Sequence, residues 1–279
     1  MVIPFLFLSC DQRQIEEHPE NLLKFEYFEE IASLHNEFLT NVKNNLILEN
    51  NIDCKEAKID FITAFQNDFL KTCHMSYSEK ELISKDMEQF KNLVDIENTM
   101  RLVGVAHGET KNEDTVSVFT LIETAEVENI LDTFELRMLT KISELAKMGF
   151  EGTITDYQFM RALQKMKNDW IAMGYLVEEN CGYVSGCAIA ISIASMEWWE
   201  LNPDAGMLET KGSYVLIPAW AVADAVGAIW GATSGAIGSY VINGEVRWGS
   251  VGFGALSGAV AGSTGVVGKV AKWISKTIN

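Results

Sequence analysis

Basic residues are scarce in this chain. Its 279 residues include 22 lysines and arginines against 39 aspartates and glutamates, and the formal net charge is −17. A protein that binds nucleic acid presents a basic face to the phosphates, and this balance offers too few cations for such a face. We therefore expect no nucleic-acid partner.

Histidines are few as well, and their spacing predicts no metal site. His18, His35, His74 and His107 are scattered along the chain. None of them lies in the H-x-x-x-H or E-x-x-H pattern that brings two ligands to one face of a helix. The sequence therefore predicts that the protein binds no metal.

Familiar catalytic and nucleotide-binding motifs are missing. Ser185 and Ser234 each precede a glycine, but neither lies in G-x-S-x-G. Residues 263–270, STGVVGKV, lack the first glycine of a phosphate loop and the hydroxyl residue after its lysine, and GFGALSG from Gly252 departs from the dinucleotide-binding pattern. We expect a protein that is not an enzyme and uses no cofactor. We also keep open a further interpretation, in which the protein is an enzyme whose site lies among the helices and leaves no motif in the sequence.

The N-terminus is apolar and ends in a cysteine. Residues 1–12 read MVIPFLFLSCDQ, and no lysine or arginine precedes the apolar run. Phe7-Leu8-Ser9-Cys10 resembles the end of a bacterial lipoprotein signal peptide, although Phe7 stands where leucine is usual. The resemblance implies that residues 1–10 are a signal-peptide remnant, that Cys10 is lipidated, and that the protein is secreted or anchored in the bacterial cell envelope. The alternative is a buried N-terminus with a chance cysteine.

The remaining cysteines, Cys54, Cys73, Cys181 and Cys187, are even in number, which suits an oxidising compartment. Cys181 and Cys187 can close a small disulfide loop if that stretch is not helical. Cys54 and Cys73 lie at opposite ends of one predicted helix, roughly 28 Å apart at the usual rise per residue, which is too far for a disulfide.

The front of the chain predicts an acidic bundle of antiparallel helices. Residues 11–20 form a polar tether, and residues 20–175 contain five apolar stripes of helical period, within a region (1–212) of net charge −19. The polar stretch 107–115 is typical of a loop. The stripes cover residues 25–46, 62–73, 83–94, 127–145 and 159–173.

The back of the chain is rich in small residues. Residues 181–200 predict a closely packed helix, and residues 213–279, which carry a net charge of +2, predict a helical hairpin that turns at Asn243-Gly244. Glycine costs a helix about 1 kcal/mol relative to alanine, so glycines repeated on one face indicate that two backbones approach closely. The helix-packing glycines are Gly227, Gly231, Gly235 and Gly238 on the first helix, and Gly254, Gly258, Gly262 and Gly265 on the second.

This glycine pattern resembles bacterial glycine-zipper proteins and the two-peptide bacteriocins whose GxxxG faces pair inside membranes. The resemblance covers residues 180–279 and implies membrane insertion or tight helix pairing, with oligomerisation through glycine faces if the protein permeabilises a membrane. Each helix exceeds twenty residues, about enough to cross a hydrocarbon core of ∼30 Å. The expected membrane-interface residues are Trp220, Tyr240, Trp248, Trp273, Lys269, Lys272 and Lys276.

Asp224 opposes a simple transmembrane interpretation. A carboxylate in the middle of a span costs about 2.5–3.5 kcal/mol unless it is paired or protonated. Two interpretations follow. In the first, the hairpin of a membrane-associating lipoprotein inserts into lipid, which an outward apolar belt would favour. In the second, the hairpin is a soluble packing module of a structural or interaction protein of the cell envelope, which burial against residues 20–175 would favour.

Overall fold

The chain is all-α in residues 22–48, 118–177, 181–202 and 219–278, the parts that a computed structural model describes. The predicted fold class is therefore confirmed. Cys10, the tether, Cys54, Cys73 and the predicted helices at 62–73 and 83–94 lie outside these residues. The seven helices described are α1 (Glu26–Leu48), α2 (Val118–Val127), α3 (Thr133–Phe150), α4 (Asp156–Met173), α5 (Tyr183–Leu201), α6 (Ala219–Asn243) and α7 (Trp248–Ile278).

The predicted fourth helix is wrong at its N-terminal end. Val127 ends helix α2, which the periodicity did not predict, and its side chain is 77% exposed. A turn follows in which Asn129 has a φ of 55°. Helix α3 begins at Thr133 because the Asp132 carboxylate accepts hydrogen bonds from two backbone N–H groups of its first turn, at 2.7 and 2.8 Å. The N-cap signal at Asp132 outweighs the apolar spacing across the turn.

Helix α4 contains the apolar stripe predicted at 159–173. Thr155 and Gln158 form a capping box at the N-terminus, and Gly174 ends the helix in the left-handed conformation, with a φ of 65°. Its buried face, formed by Phe159, Leu163, Met166 and Trp170, packs towards helices α3 and α5. The sequence predicted these four residues and Met173 on one face, but Met173, at the end of the helix, is 47% exposed.

Helices α6 and α7 form the predicted hairpin, on which helices α1, α2, α3 and α5 pack, while α4 packs on α3 and α5. We call α6 and α7 the hairpin and α1 to α5 the sheath. Every residue from 221 to 236 and from 251 to 263 is buried, as expected for helices that are apolar on all sides. Helix α6 packs on α2, α3, α5 and α7, and helix α7 packs also on α1 and α5. The hairpin and the sheath therefore share one hydrophobic core.

The two hairpin helices meet through their backbones. A Cβ atom added to Gly231 would overlap the carbonyl oxygen of Gly254, and one added to Gly254 would overlap the carbonyl oxygen of Gly231. The same relation joins Gly227 to Gly258. Moving four residues forward on α6, from Gly227 to Gly231, corresponds to moving four residues back on α7, from Gly258 to Gly254. The two helices are therefore antiparallel, in a register that only glycine permits.

This register extends in both directions along the pair. A Cβ atom at Gly235 would overlap the carbonyl oxygen of Ser250, and one at Gly262 would overlap that of Ala223. Gly238 is also buried on α6, and Gly265 lies on α7 where the side-chain surroundings are not described. The packing role predicted for the glycines is therefore observed at six of the eight positions, those of Gly227, Gly231, Gly235, Gly254, Gly258 and Gly262.

Gly254→Ala tests this interface, and Gly252→Ala is a matched control on the same helix. A methyl group at Gly254 meets backbone, whereas one at Gly252 meets the end of the Ile31 side chain, which can move aside. We expect Gly254→Ala to lower the free energy of unfolding by about 1–3 kcal/mol through overpacking, and Gly252→Ala to leave it nearly unchanged. Urea unfolding followed by circular dichroism measures both. Equal stability of the two variants would contradict the close backbone contact.

Candidate functional site

A buried carboxylate lies at the contact between the hairpin and the sheath. Asp224 of α6 has no exposed surface. Its Oδ2 atom accepts hydrogen bonds from the Ser195 hydroxyl at 2.7 Å and from Trp199 Nε1 at 3.0 Å, both from α5. Its Oδ1 atom accepts one from the Ser263 hydroxyl of α7. Three donors from two helices therefore compensate for the burial of this group.

His35 of helix α1 completes this arrangement. Its Nε2 atom lies 3.2 Å from the Ser263 hydroxyl oxygen and 3.6 Å from Asp224 Oδ2. On the other side of the ring, Nδ1 lies 3.3 Å from Asn36 Oδ1, and the Asn36 amide donates to the carbonyl of Ala194 at 2.9 Å. Burial lowers the pKa of His35, while the Asp224 carboxylate and Asn36 oppose that shift. We call Asp224, Ser263, Ser195, Trp199 and His35 the Asp224 cluster.

The sequence predicted one member of this cluster as a problem and missed its partners. Asp224 was conspicuous as the one acidic residue in an apolar helix. Ser195 and Trp199 are four residues apart on α5, a spacing that places both side chains on one helix face. His35 occupied an apolar position in the stripe of α1, which is the signal that could have predicted a buried polar partner.

The cluster contains a serine, a histidine and an aspartate, which are the three residue types of a hydrolytic catalytic triad. In a catalytic triad the histidine lies between the other two groups and the serine faces substrate. Here the Ser263 hydroxyl contacts both His35 and Asp224, and all three side chains are fully buried. Substrate cannot reach the serine in this arrangement, so the cluster acts as a packing contact between helices α1, α5, α6 and α7.

A second buried carboxylate caps helix α5 from outside that helix. Glu135 of α3 is 1% exposed, and its Oε1 atom accepts hydrogen bonds from the backbone N–H groups of Val184 (3.1 Å) and Ser185 (3.2 Å) and from the Ser185 hydroxyl. The two backbone N–H groups lie in the first turn of α5, where no carbonyl of the same helix can accept from them. Burial, with the neighbouring Asp132, nevertheless raises the pKa of Glu135 to about 7.

The predicted disulfide between Cys181 and Cys187 is not formed. Cys187 lies in the second turn of α5, because the segment is helical from Tyr183 onward, and both thiols are reduced. Burial and the nearby Glu135 raise the pKa of the Cys187 thiol, so it stays protonated. This cysteine is therefore a core residue without nucleophilic character.

The turn of the hairpin is exposed and presents several apolar side chains. Tyr240, Val241, Ile242 and Trp248 are 37%, 73%, 40% and 49% exposed, while the hairpin behind them is buried. Gly244 makes the turn with a φ of 73°. We call the four exposed side chains the tip. Glu245 and Arg247 form an ion pair in the same turn, with side chains 54% and 40% exposed, so the apolar side chains of the tip lie beside two charges. Exposed apolar side chains that are grouped in this way are typical of a surface that meets lipid or a partner.

The tip includes two of the residues predicted at a membrane interface, Tyr240 and Trp248. The other five belong to helices α6 and α7, but their side chains lie outside the described ones: Trp220, Trp273, Lys269, Lys272 and Lys276. One helix among the described residues is long and apolar enough to cross a membrane. It covers Ala221–Asn243, with a mean hydropathy of 1.3 over its most apolar window, 78% of which is buried.

Other cavities and ligand sets offer less. A trough of about 850 Å³ between α2, α3 and α4 is lined by charges of both signs, including Glu126, Arg137, Lys141 and Asp169, over an apolar floor. No group of three histidine, cysteine or acidic side chains in the described ranges could hold a metal ion. The side chains that line the trough do not bring together groups that would perform a reaction.

Comparisons with protein-family models, with curated proteins and with solved structures give no significant match. The function has to be inferred from the geometry of the hairpin, its tip and the Asp224 cluster.

Glu135→Gln tests the buried cap of α5 through the dependence of stability on pH. The folded state holds the Glu135 proton more tightly than the unfolded chain, in which the pKa is near 4.5. Glu135 therefore contributes stability that is fully present below pH 4.5 and that falls by up to about 3 kcal/mol as the pH rises to about 7. Burial also raises the pKa of Asp224 and lowers the pKa of His35, so urea unfolding at a series of pH values should show a smaller fall in Glu135→Gln than in the unmodified protein.

Glu144→Gln is the control for this measurement. Glu144 lies on the same helix α3, with a side chain 54% exposed. Its replacement should leave the slope between pH 4.5 and pH 7 unchanged. A Glu135→Gln variant that kept the slope of the unmodified protein would show that Glu135 does not titrate in this range.

Proposed function

We propose that this is a membrane-associating protein of the bacterial cell envelope that stores an apolar hairpin in a helical sheath and inserts it into lipid from the tip. The observation that carries the proposal is the contrast along the hairpin. Residues 221–236 and 251–263 are buried, whereas Tyr240, Val241, Ile242 and Trp248 remain in contact with solvent. The lipidated N-terminus that Cys10 implies would hold the tip close to a membrane.

The hairpin is a self-contained unit. Its helices satisfy their backbone hydrogen bonds internally and contact each other through pairs such as Gly227–Gly258 and Gly231–Gly254. Lipid tails provide no hydrophobic drive for helix pairing, so pairing there depends on close contacts of this kind. The same interface can therefore hold the two helices together in the sheath and in lipid.

The length of the hairpin suits a bilayer. Ala221–Asn243 has 23 residues, about 35 Å of helix, against a hydrocarbon core of about 30 Å. Tyr240 and Trp248 are amphipathic aromatics at the leading end, and such residues favour the headgroup region. Tip-first entry would bring apolar surface from the sheath into lipid with little exposure to water, and it would carry the Glu245–Arg247 ion pair of the turn across the hydrocarbon core as a pair.

The glycine contacts limit how this protein could form the oligomer that membrane permeabilisation requires. One hairpin cannot line a pore, so a permeabilising form must be an oligomer. The glycine faces of α6 and α7 are occupied by each other within one chain. A homo-oligomer would therefore have to exchange hairpin partners or use the outer faces of the helices, which contact the sheath in this state.

A second candidate function is a structural or interaction protein of the envelope in which the hairpin never leaves the sheath. The burial of 78% of the most apolar window of α6 favours it, because the core helix of a water-soluble protein has the same composition. In this case the exposed tip would meet a protein partner and the glycines would serve only close packing.

Flotation of a Cys10→Ser protein on phosphatidylcholine vesicles, followed by an alkaline carbonate wash, distinguishes the two functions. The substitution removes the acyl chain that would otherwise bind the protein to lipid. Membrane insertion predicts that a protease-protected fragment containing residues 219–278 stays with the vesicles. Recovery of the whole chain in the soluble fraction would favour the packing module.

A tip variant tests the route of entry. Val241→Ser combined with Trp248→Ser should weaken vesicle binding about tenfold or more, because both side chains lose apolar area that lipid would bury. Val127→Ser is the control, since Val127 is 77% exposed but lies on the sheath. Equal loss of binding in the control would mean that the tip has no special role.

A further inference from the structure

We propose that the Asp224 cluster is a latch that keeps the hairpin in the sheath and sets how readily it enters lipid. This inference rests on the proposed membrane insertion and describes its regulation. Asp224 is the one acidic side chain on the buried stretch of α6, residues 221–236. Its hydrogen bonds divide between groups that would travel with the hairpin and groups that would stay behind.

Most of the contacts of Asp224 belong to the sheath. Ser195 and Trp199 donate from α5, and His35 of α1 lies 3.6 Å from the carboxylate and 3.2 Å from the Ser263 hydroxyl. Ser263 alone among these groups belongs to the hairpin. Movement of the hairpin out of the sheath therefore breaks the contacts to α1 and α5 and preserves one hydrogen bond.

The contacts that are lost have no replacement in hydrocarbon. A buried polar group costs little while its partners satisfy it and much more when they are removed. The cluster consequently stabilises the stored state relative to the inserted one, and only an interaction that differs between two states can shift their balance. The glycine pairs, which are the same in both states, cannot supply this preference.

The latch is distant from the tip. Asp224 precedes Tyr240 by 16 residues on one continuous helix, about 24 Å at the usual rise. The tip can therefore contact a bilayer while the cluster is still intact. The fold thus separates docking, which depends on Tyr240, Val241, Ile242 and Trp248, from release, which depends on Asp224.

Helix α5 offers a matched pair of variants for each donor. Trp199→Phe removes the indole donor to Asp224, whereas Trp198→Phe removes one that goes to Thr40 of α1, within the sheath. Ser195→Ala removes the hydroxyl donor to Asp224, whereas Ser192→Ala removes one that returns to the carbonyl of Ala188 in the same helix. Each control lies on the same helix and removes no hydrogen bond to Asp224. The Trp198 ring packs edge-on against Trp199 at 4.7 Å between ring centroids, and phenylalanine keeps an aromatic ring at that position.

The experiment measures the rate at which the protease-protected hairpin fragment appears on phosphatidylcholine vesicles, with every variant in the Cys10→Ser background. Circular dichroism without lipid confirms that each variant is folded. We expect Trp199→Phe and Ser195→Ala each to raise the rate about tenfold or more, since each leaves the buried Asp224 Oδ2 atom with one donor fewer in the stored state. Trp198→Phe and Ser192→Ala should change it less than about threefold.

Asp224→Asn is a further variant that keeps an acceptor of nearly the same shape and removes the charge that lipid disfavours. It should also insert faster than the unmodified side chain. If the controls accelerate insertion as much as Trp199→Phe and Ser195→Ala do, general loosening of the sheath is the cause and the latch is wrong, although membrane insertion stands. If the unmodified protein inserts and the variants are no faster, the latch is again wrong. If no variant inserts, the latch and the proposed function both fail.

Discussion

The structure depends on the backbone contact between α6 and α7. Glycines at intervals of four residues allow the carbonyls of one helix to touch the Cα atoms of the other, and a single methyl group would prevent this. The pair is therefore narrow enough for four other helices to pack on it. Each glycine weakens its helix by about 1 kcal/mol relative to alanine, so these helices depend on being packed together rather than on their own propensity.

The burial of the hairpin creates the need for the polar clusters. A hairpin of small apolar residues packs well on many surfaces, and apolar contact alone specifies its position weakly. Asp224 specifies the position of the hairpin, because its hydrogen-bond donors lie at defined points on α5 and α7 and His35 of α1 lies beside it. Glu135 does the same between α3 and the start of α5. Each carboxylate joins elements that are distant in the sequence.

The sequence was sufficient for the features that depend on local pattern. The helical fold class, the capped helix α4, the hairpin turn at Gly244 and the glycine face all follow from spacing and turn chemistry. It failed where tertiary contacts decide. No local rule pairs His35 with Ser263 across 228 positions, or brings Glu135 to the N-terminus of α5. The break before α3 was missed because apolar spacing continued through a turn that Asp132 caps.

A hairpin that is stored and later inserted, as we propose, has to satisfy two opposing requirements, and the composition of this one suits both. Strongly apolar helices would favour lipid so much that no sheath could hold them, whereas alanine and glycine are weakly apolar and leave the two environments closer in free energy. A small difference can then decide the state. Asp224, satisfied by the sheath and unsatisfied in hydrocarbon, supplies a difference of the right sign. In this proposal the glycine interface keeps the hairpin intact in either state, and the hydrogen bonds that differ between the states are those that Asp224 and Ser263 make with α1 and α5.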